Sequence, residues 1–144
     1  MAAAAPDCLF VYGSLMSGIP VAARPIEARA PFAALSADAR LIGPASATGR
    51  LFAVAWYPGF VPGRSPGEQV RGEVWRLTHP GRVLAALDDY EGRGYARACI
   101  GVKLDAGVRL EAFAYRLADD PGAAPRIESG DYLAWMNLPP QARA

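Results

Sequence analysis

At 144 residues, 52% hydrophobic and 20% charged, the chain carries enough apolar material for one packed domain and lacks the composition of a disordered segment. A formal net charge of +1 leaves no basic footprint for nucleic acid, and no apolar run approaches the length of a membrane span. The lone histidine, His79, and two cysteines, Cys8 and Cys99, at unrelated positions argue against a zinc site.

Met1–Ala5 is small and apolar but has no basic flank, and Pro6-Asp7 interrupts it. It reads as part of a frayed tail over residues 1–7, not a signal peptide, so the chain is expected in the cytoplasm with Cys8 and Cys99 as reduced, buried thiols. Cys8-Leu9-Phe10-Val11-Tyr12 is rich in β formers and predicts a buried first strand. Gly13-Ser14 breaks it, and Leu15–Gly18 continues as a loop or short turn. Pro20–Arg29, interrupted by Pro25, predicts irregular chain with one helical turn, and Phe32–Ile42 reads as a strand. Thr48–Tyr57 is a further strand, turned by Pro58-Gly59, and Pro62–Gly67 is the loop best suited to mobility. Gln69–Leu77 alternates as a strand. Neither of its faces is uniformly apolar, which leaves its inward side open.

Thr78 predicts an N-cap and Pro80 sits in the first turn of a helix spanning about His79–Glu91. His79 falls at the exposed start. Gly92 stops the helix. Tyr95–Leu104 and Val108–Leu117 form a hairpin about Asp105-Ala106-Gly107. Pro121–Pro125 is loop, and Ser129 or Asp131 caps a short last helix before a tail over residues 139–144. Five or six strands with one dominant helix predict a single α+β domain (residues 8–138) whose sheet curls around a core, with closure into a small barrel as one outcome.

Two stretches carry chemistry. In the helix, Leu84, Leu87 and Glu91 lie i, i+3, i+7 on one face, so Glu91 is carried core-ward while Asp88 and Asp89 face water. Burial and the negative end of the helix dipole both raise a carboxyl pKa there, as general acid–base chemistry near neutrality requires. The competing reading is that Glu91 curls outward, or forms a structural ion pair with Arg93 or Arg97. Arg97 itself reads as a structural partner of Asp88 or of a helix-end carbonyl. The second stretch, Tyr12-Gly13-Ser14-Leu15, follows a buried strand. Glycine lets a ligand approach successive peptide N–H groups, a concavity suited to a carboxylate, but such turns are also common structural joints. No basic residue follows at P-loop spacing, and the G-x-S-x-G pattern of a serine hydrolase is absent.

Phe10-Val11-Tyr12-Gly13-Ser14-Leu15, followed by Gly72-Glu73-Val74-Trp75-Arg76-Leu77, Leu87-Asp88-Asp89-Tyr90-Glu91-Gly92, Tyr95 and Arg97, resembles the paired blocks of the γ-glutamylcyclotransferase superfamily, in its AIG2-like branch. The resemblance runs roughly from Leu9 to Trp135. It implies a small mixed β-barrel with flanking helices, Glu91 as catalytic glutamate, and Tyr12, Gly13, Ser14 and Leu15 cradling a glutamyl moiety. Tyr115 matches, more loosely, an aromatic that lines or covers the pocket. Ser129–Tyr132 resembles a segment of bacterial members without a catalytic role. The implied reaction cyclises a γ-glutamyl amine or γ-glutamyl amino acid to 5-oxoproline and needs no metal or other cofactor. A glutathione-acting relative and a non-catalytic small-molecule-binding domain are the alternatives. Tyr90 and Tyr95 read as packed core aromatics. The oligomeric state and the leaving amine stay open.

Overall fold

Strand β1 (Cys8–Val11) is buried along its whole length, and its side chains alternate between two cores. Cys8 and Phe10 enter one cluster; Leu9 and Val11 enter the other. A strand buried on both faces must be covered on both, and the rest of the chain supplies the covers. The computed structural model describes residues 7–19, 23–55, 57–63, 65–139 and 141, so most of both expected tails, Trp56 and Arg64 lie outside the described residues.

The elements follow as α1 (Ile26–Ala37), β2 (Ala39–Ala53), β3 (Pro58–Pro62), β4 (Gln69–Leu77), α2 (Pro80–Glu91), β5 (Tyr95–Leu104), β6 (Arg109–Leu117), β7 (Arg126–Ile127) and α3 (Tyr132–Met136). Strands β2, β4, β1, β6 and β5 are neighbours in that order. Pairing of Ala45 with Leu104 and Ser46 with Lys103 joins β5 back to β2, so five strands close into a barrel. The barrel is mixed: β1 runs antiparallel to β4 and parallel to β6. The far end of β2 leaves the barrel and pairs with β3 and β7.

The barrel interior is filled by Phe10, Tyr12, Val70, Val74 and Val102 beside the small residues Ala45, Ala47, Ala112 and Ala114. The second cluster lies outside the barrel wall, where Leu9, Val11, Trp75, Leu77 and Tyr115 meet Ala28 and Leu35 of α1 and Val83, Leu84 and Leu87 of α2. This explains the mixed alternation of β4. Val70, Gly72 and Val74 point inward, and the opposite face is covered by helices and carries a buried carboxylate, Glu73.

Four local expectations are corrected. Phe32–Ala37 is helix, not strand, and α1 continues through Pro31; five alanines and the packing of Ala28, Leu35 and Phe32 outweigh the one bond that proline removes. Pro58-Gly59 is strand, not turn. It pairs with β2 on an edge position, where a missing N–H is tolerated. The N-cap of α2 is His79, without a side-chain cap bond, while the Thr78 hydroxyl donates to the Asp38 carbonyl at 2.8 Å. Cys99 is exposed on β5, whereas Cys8 is buried. Asp131 caps α3, accepting from the Ala134 N–H at 3.1 Å, with Ser129 Oγ in turn accepting from the Asp131 N–H.

Gly72 sits where the Phe10 ring crosses the barrel. A Cβ there would lie 2.7 Å from two Phe10 ring carbons and against the Val11 carbonyl oxygen. Gly72→Ala is expected to destabilise the fold by about 2–3 kcal/mol in urea unfolding. Gly101, which faces open space in β5, is the control, with Gly101→Ala staying within about 0.5 kcal/mol of the parent.

Candidate active site

The turn after β1 is built by hydrogen bonds that run backward into the protein. Met16 N–H donates to the Gly13 carbonyl at 3.0 Å and Ile19 N–H to the Met16 carbonyl at 3.4 Å, giving two successive turns. Behind them lies Arg24, only 4% exposed. Its guanidinium donates to the carbonyls of Ser14 (2.7 Å), Met16 (3.0 Å) and Ile19 (3.2 Å) and rests 3.6 Å over the centre of the Phe32 ring. Glu73 secures the same segment from β4. It accepts from the N–H and hydroxyl of Ser17 and from the Trp75 indole. Among the described residues no group accepts from the N–H of Ser14 or Leu15. Gly13 lies so close to Pro58 that a Cβ would fall 2.8 Å from the proline ring.

Helix α2 delivers the acid. Leu84 and Leu87 are buried against the barrel wall, which turns Glu91, at the last position of the helix, inward and leaves it half-buried. Gly92, at φ 67°, ends the helix and a 3-10 turn over Gly92–Gly94 leads into β5. Burial pushes the Glu91 carboxyl from the ordinary carboxylate range up to about 7. Neither an ion pair nor a hydrogen bond reaches its carboxylate among the described residues. Arg97 instead pairs with Asp88 at 3.3 Å, the alternative read from the sequence for that arginine.

Glu91, Tyr12, Gly13, Ser14, Leu15 and Tyr115 all border one cavity of about 380 Å³, within the range of small-molecule pockets. Tyr115 lends its ring to the wall, while its hydroxyl donates to Asp88 Oδ1 at 2.6 Å. The Tyr12 hydroxyl donates to the Tyr115 carbonyl. Burial raises the hydroxyl pKa of Tyr12, Tyr95 and Tyr115, so all three stay neutral near pH 7. No group of His, Cys, Asp or Glu side chains arranged to hold a metal ion occurs among the described residues. No helix among them is long and apolar enough to cross a membrane.

The family model for "Gamma-glutamyl cyclotransferase, AIG2-like" matches residues 9–134. The chain belongs to this family. Among solved structures, ytfP from Escherichia coli is 29% identical, with 88% of this chain and 96% of that one covered at a TM-score of 0.57. YkqA from Bacillus subtilis is 26% identical over 88% of this chain at a TM-score of 0.63; the match spans only 39% of YkqA. An AIG2-like protein from Mus musculus shares the fold at 22% identity and a TM-score of 0.56, with 92% and 84% of the two chains covered. No curated protein sequence matches.

The γ-glutamyl cyclotransferase, AIG2-like chain also brings to the cavity residues that sequence reading left in the core. Tyr90 and Tyr95 border it. Tyr90 shares a 3.0 Å hydrogen bond with Ser14 Oγ, and the Tyr95 hydroxyl donates to the Pro58 carbonyl at 2.7 Å. Tyr57, Pro58 and Glu27 complete the rim. The adjacency of Tyr90 to Glu91 and of Tyr95 to the helix stop was the available signal; for Glu27 and Tyr57, in segments read as irregular or β, there was none. Among the described residues, Glu27 and Glu91 are the charged ones bordering the cavity, and no Arg, Lys or His borders it.

A carboxyl whose folded-state pKa exceeds its unfolded value binds more protons in the native state, so ionising it costs stability. The cost appears as pH rises above about 4.5 and is complete above about 7. Glu91→Gln is therefore expected to unfold at a higher temperature than the parent at pH 8, by a margin on the order of 2–3 kcal/mol. That margin shrinks as pH falls and vanishes below about pH 4.5, which thermal melts across the series measure directly.

Proposed function

We propose that this chain converts a γ-glutamyl amine or γ-glutamyl amino acid into 5-oxoproline and a free amine. The observation that carries the reading is Glu91: an unpaired carboxyl poised near neutrality on the same cavity as the Tyr12–Leu15 turn. The family description points to the same chemistry.

In this reading the substrate's α-amino nitrogen attacks its own γ-carbonyl carbon, and the new C–N bond closes a five-membered lactam as the old amide C–N bond breaks. The nucleophile is tethered, so its encounter is already intramolecular, and effective molarities of about 10⁵–10⁸ M are accessible to well-oriented reactants. What the protein adds is proton transfer. The α-ammonium sheds two protons on becoming the lactam N–H, and the departing nitrogen takes up two on leaving as an ammonium ion. Glu91 accepts the first proton as base and returns it to the departing nitrogen as acid. With a pKa about 7, both of its forms are well populated at neutral pH, which suits both tasks. The free N–H groups of Ser14 and Leu15 hold the α-carboxylate, and the rings of Tyr12 and Tyr115 flank the glutamyl chain. Localisation in the cytoplasm is the setting this proposal assumes.

The assay is release of 5-oxoproline from γ-glutamyl-ε-lysine and γ-glutamyl dipeptides, with cysteinylglycine release from glutathione as a separate arm. Glu91→Gln is expected to lower kcat by about 10²–10⁴-fold, the usual worth of general acid–base catalysis, with KM little changed. The protonated acid cannot accept, so kcat/KM falls as pH drops through about 7. A Gln variant as active as the parent refutes the assignment of Glu91.

A further inference from the structure

The cavity presents an arrangement that the mechanism leaves unexplained: its substrate carries a carboxylate, yet among the described residues no cationic side chain borders it. A positive charge stands outside it: Arg24, buried behind the turn, donates to three backbone carbonyls.

A trans peptide is planar, with its C=O and N–H pointing in opposite directions, and every described peptide bond here is trans. Arg24 grips two such units by their oxygens. The Met16 carbonyl belongs to the peptide whose far side is the Ser17 N–H, and that N–H donates to the Glu73 carboxylate. The Ser14 carbonyl belongs to the peptide whose far side is the Leu15 N–H, which has no partner among the described residues and whose residue borders the cavity. One guanidinium thus stands behind two parallel relays. In one, the N–H already holds a carboxylate. In the other, the residue that carries the N–H borders the cavity.

We propose that Arg24 is a positioning residue that charges the Leu15 N–H from behind, through the Ser14–Leu15 peptide, and so makes the turn after β1 a receptor for the carboxylate of the ligand. The inference rests on the reading of the cavity as a γ-glutamyl site. A hydrogen bond accepted by a carbonyl from a cation polarises that peptide and strengthens the bond its N–H donates. The positive charge is kept out of the cavity, so it neither pairs with Glu91 nor lowers the pKa of that acid. Burial weakens the hold of Arg24 on its own proton and Glu73 opposes that loss; a guanidinium stays charged near neutrality.

The test compares Arg24→Lys and Arg24→Gln with the parent, after thermal melts confirm folding. With γ-glutamyl-ε-lysine as substrate, Arg24→Gln is expected to raise KM by roughly tenfold or more, about one charge-assisted hydrogen bond. Its kcat should stay within about threefold, and the acidic limb of kcat/KM should not move. Arg24→Lys, a single charged point in place of a fork, is expected to fall between. An amide-resolved NMR titration with L-glutamine, the smallest γ-glutamyl amide, and with 4-aminobutyramide, which lacks the carboxylate, reads the same site without turnover. Carboxylate-dependent shifts at Leu15 that Arg24→Gln removes support the proposal even if no 5-oxoproline forms, in which case the cyclisation reading alone fails. A folded Arg24→Gln with unchanged KM, or with unchanged Leu15 shifts, overturns it, as does a parent whose Leu15 amide ignores L-glutamine. Should Arg24→Gln not fold, Arg24→Lys decides by the same two readouts.

Discussion

A half-buried carboxyl group without a counter-ion among the described residues is the constraint on which this structure turns. Glu91 lies at the end of α2 because Leu84 and Leu87 seat that helix on the barrel wall, and Gly92 stops the helix before the acid can be carried past the cavity. Two arginines that could neutralise it are engaged elsewhere. Arg97 is held by Asp88, and Arg24 is held by three carbonyls. The result is a group that holds its proton up to about neutrality, obtained at a cost in stability that an uncharged isostere would avoid.

The tyrosines make the cavity rigid as well as apolar. Tyr12 reaches from β1 to the carbonyl of Tyr115 on β6, Tyr115 reaches on to Asp88 on α2, and Tyr90 of α2 returns to Ser14 at the turn. Tyr95 ties the start of β5 to Pro58 on β3. These bonds join the acid-bearing helix to the turn after β1 from both flanks. Buried hydroxyls without partners would be costly, and the same pairing that satisfies them fixes the geometry between Glu91 and the peptide groups of Ser14 and Leu15.

Much of this was legible in the chain. The strands β1, β4, β5 and β6 and the helix α2 carry strong periodicity, and the i, i+3, i+7 spacing of Leu84, Leu87 and Glu91 predicted which way the acid points. The resemblance of its two blocks predicted the barrel and the family. What escaped reading were features decided by distant contacts. Helix α1 hides behind Pro31 because its stability comes from packing Phe32, Ala28 and Leu35 on α2 and Trp75, which no local rule anticipates. Pro58-Gly59 looks like a turn until its edge position is known. Glu73 was legible only as part of the Gly72–Leu77 block and Arg24 only as one of two arginines in an alanine-rich stretch; their shared role emerges when folding brings both to the back of one turn.

The central claim concerns a single proton, and the most direct measurement is a pH titration of the Glu91 side-chain carboxyl by ¹³C NMR, with the resonance assigned through Glu91→Gln. The account predicts a midpoint about 7. A midpoint in the ordinary carboxylate range, about 4.3, would show a solvated or ion-paired acid and contradict it.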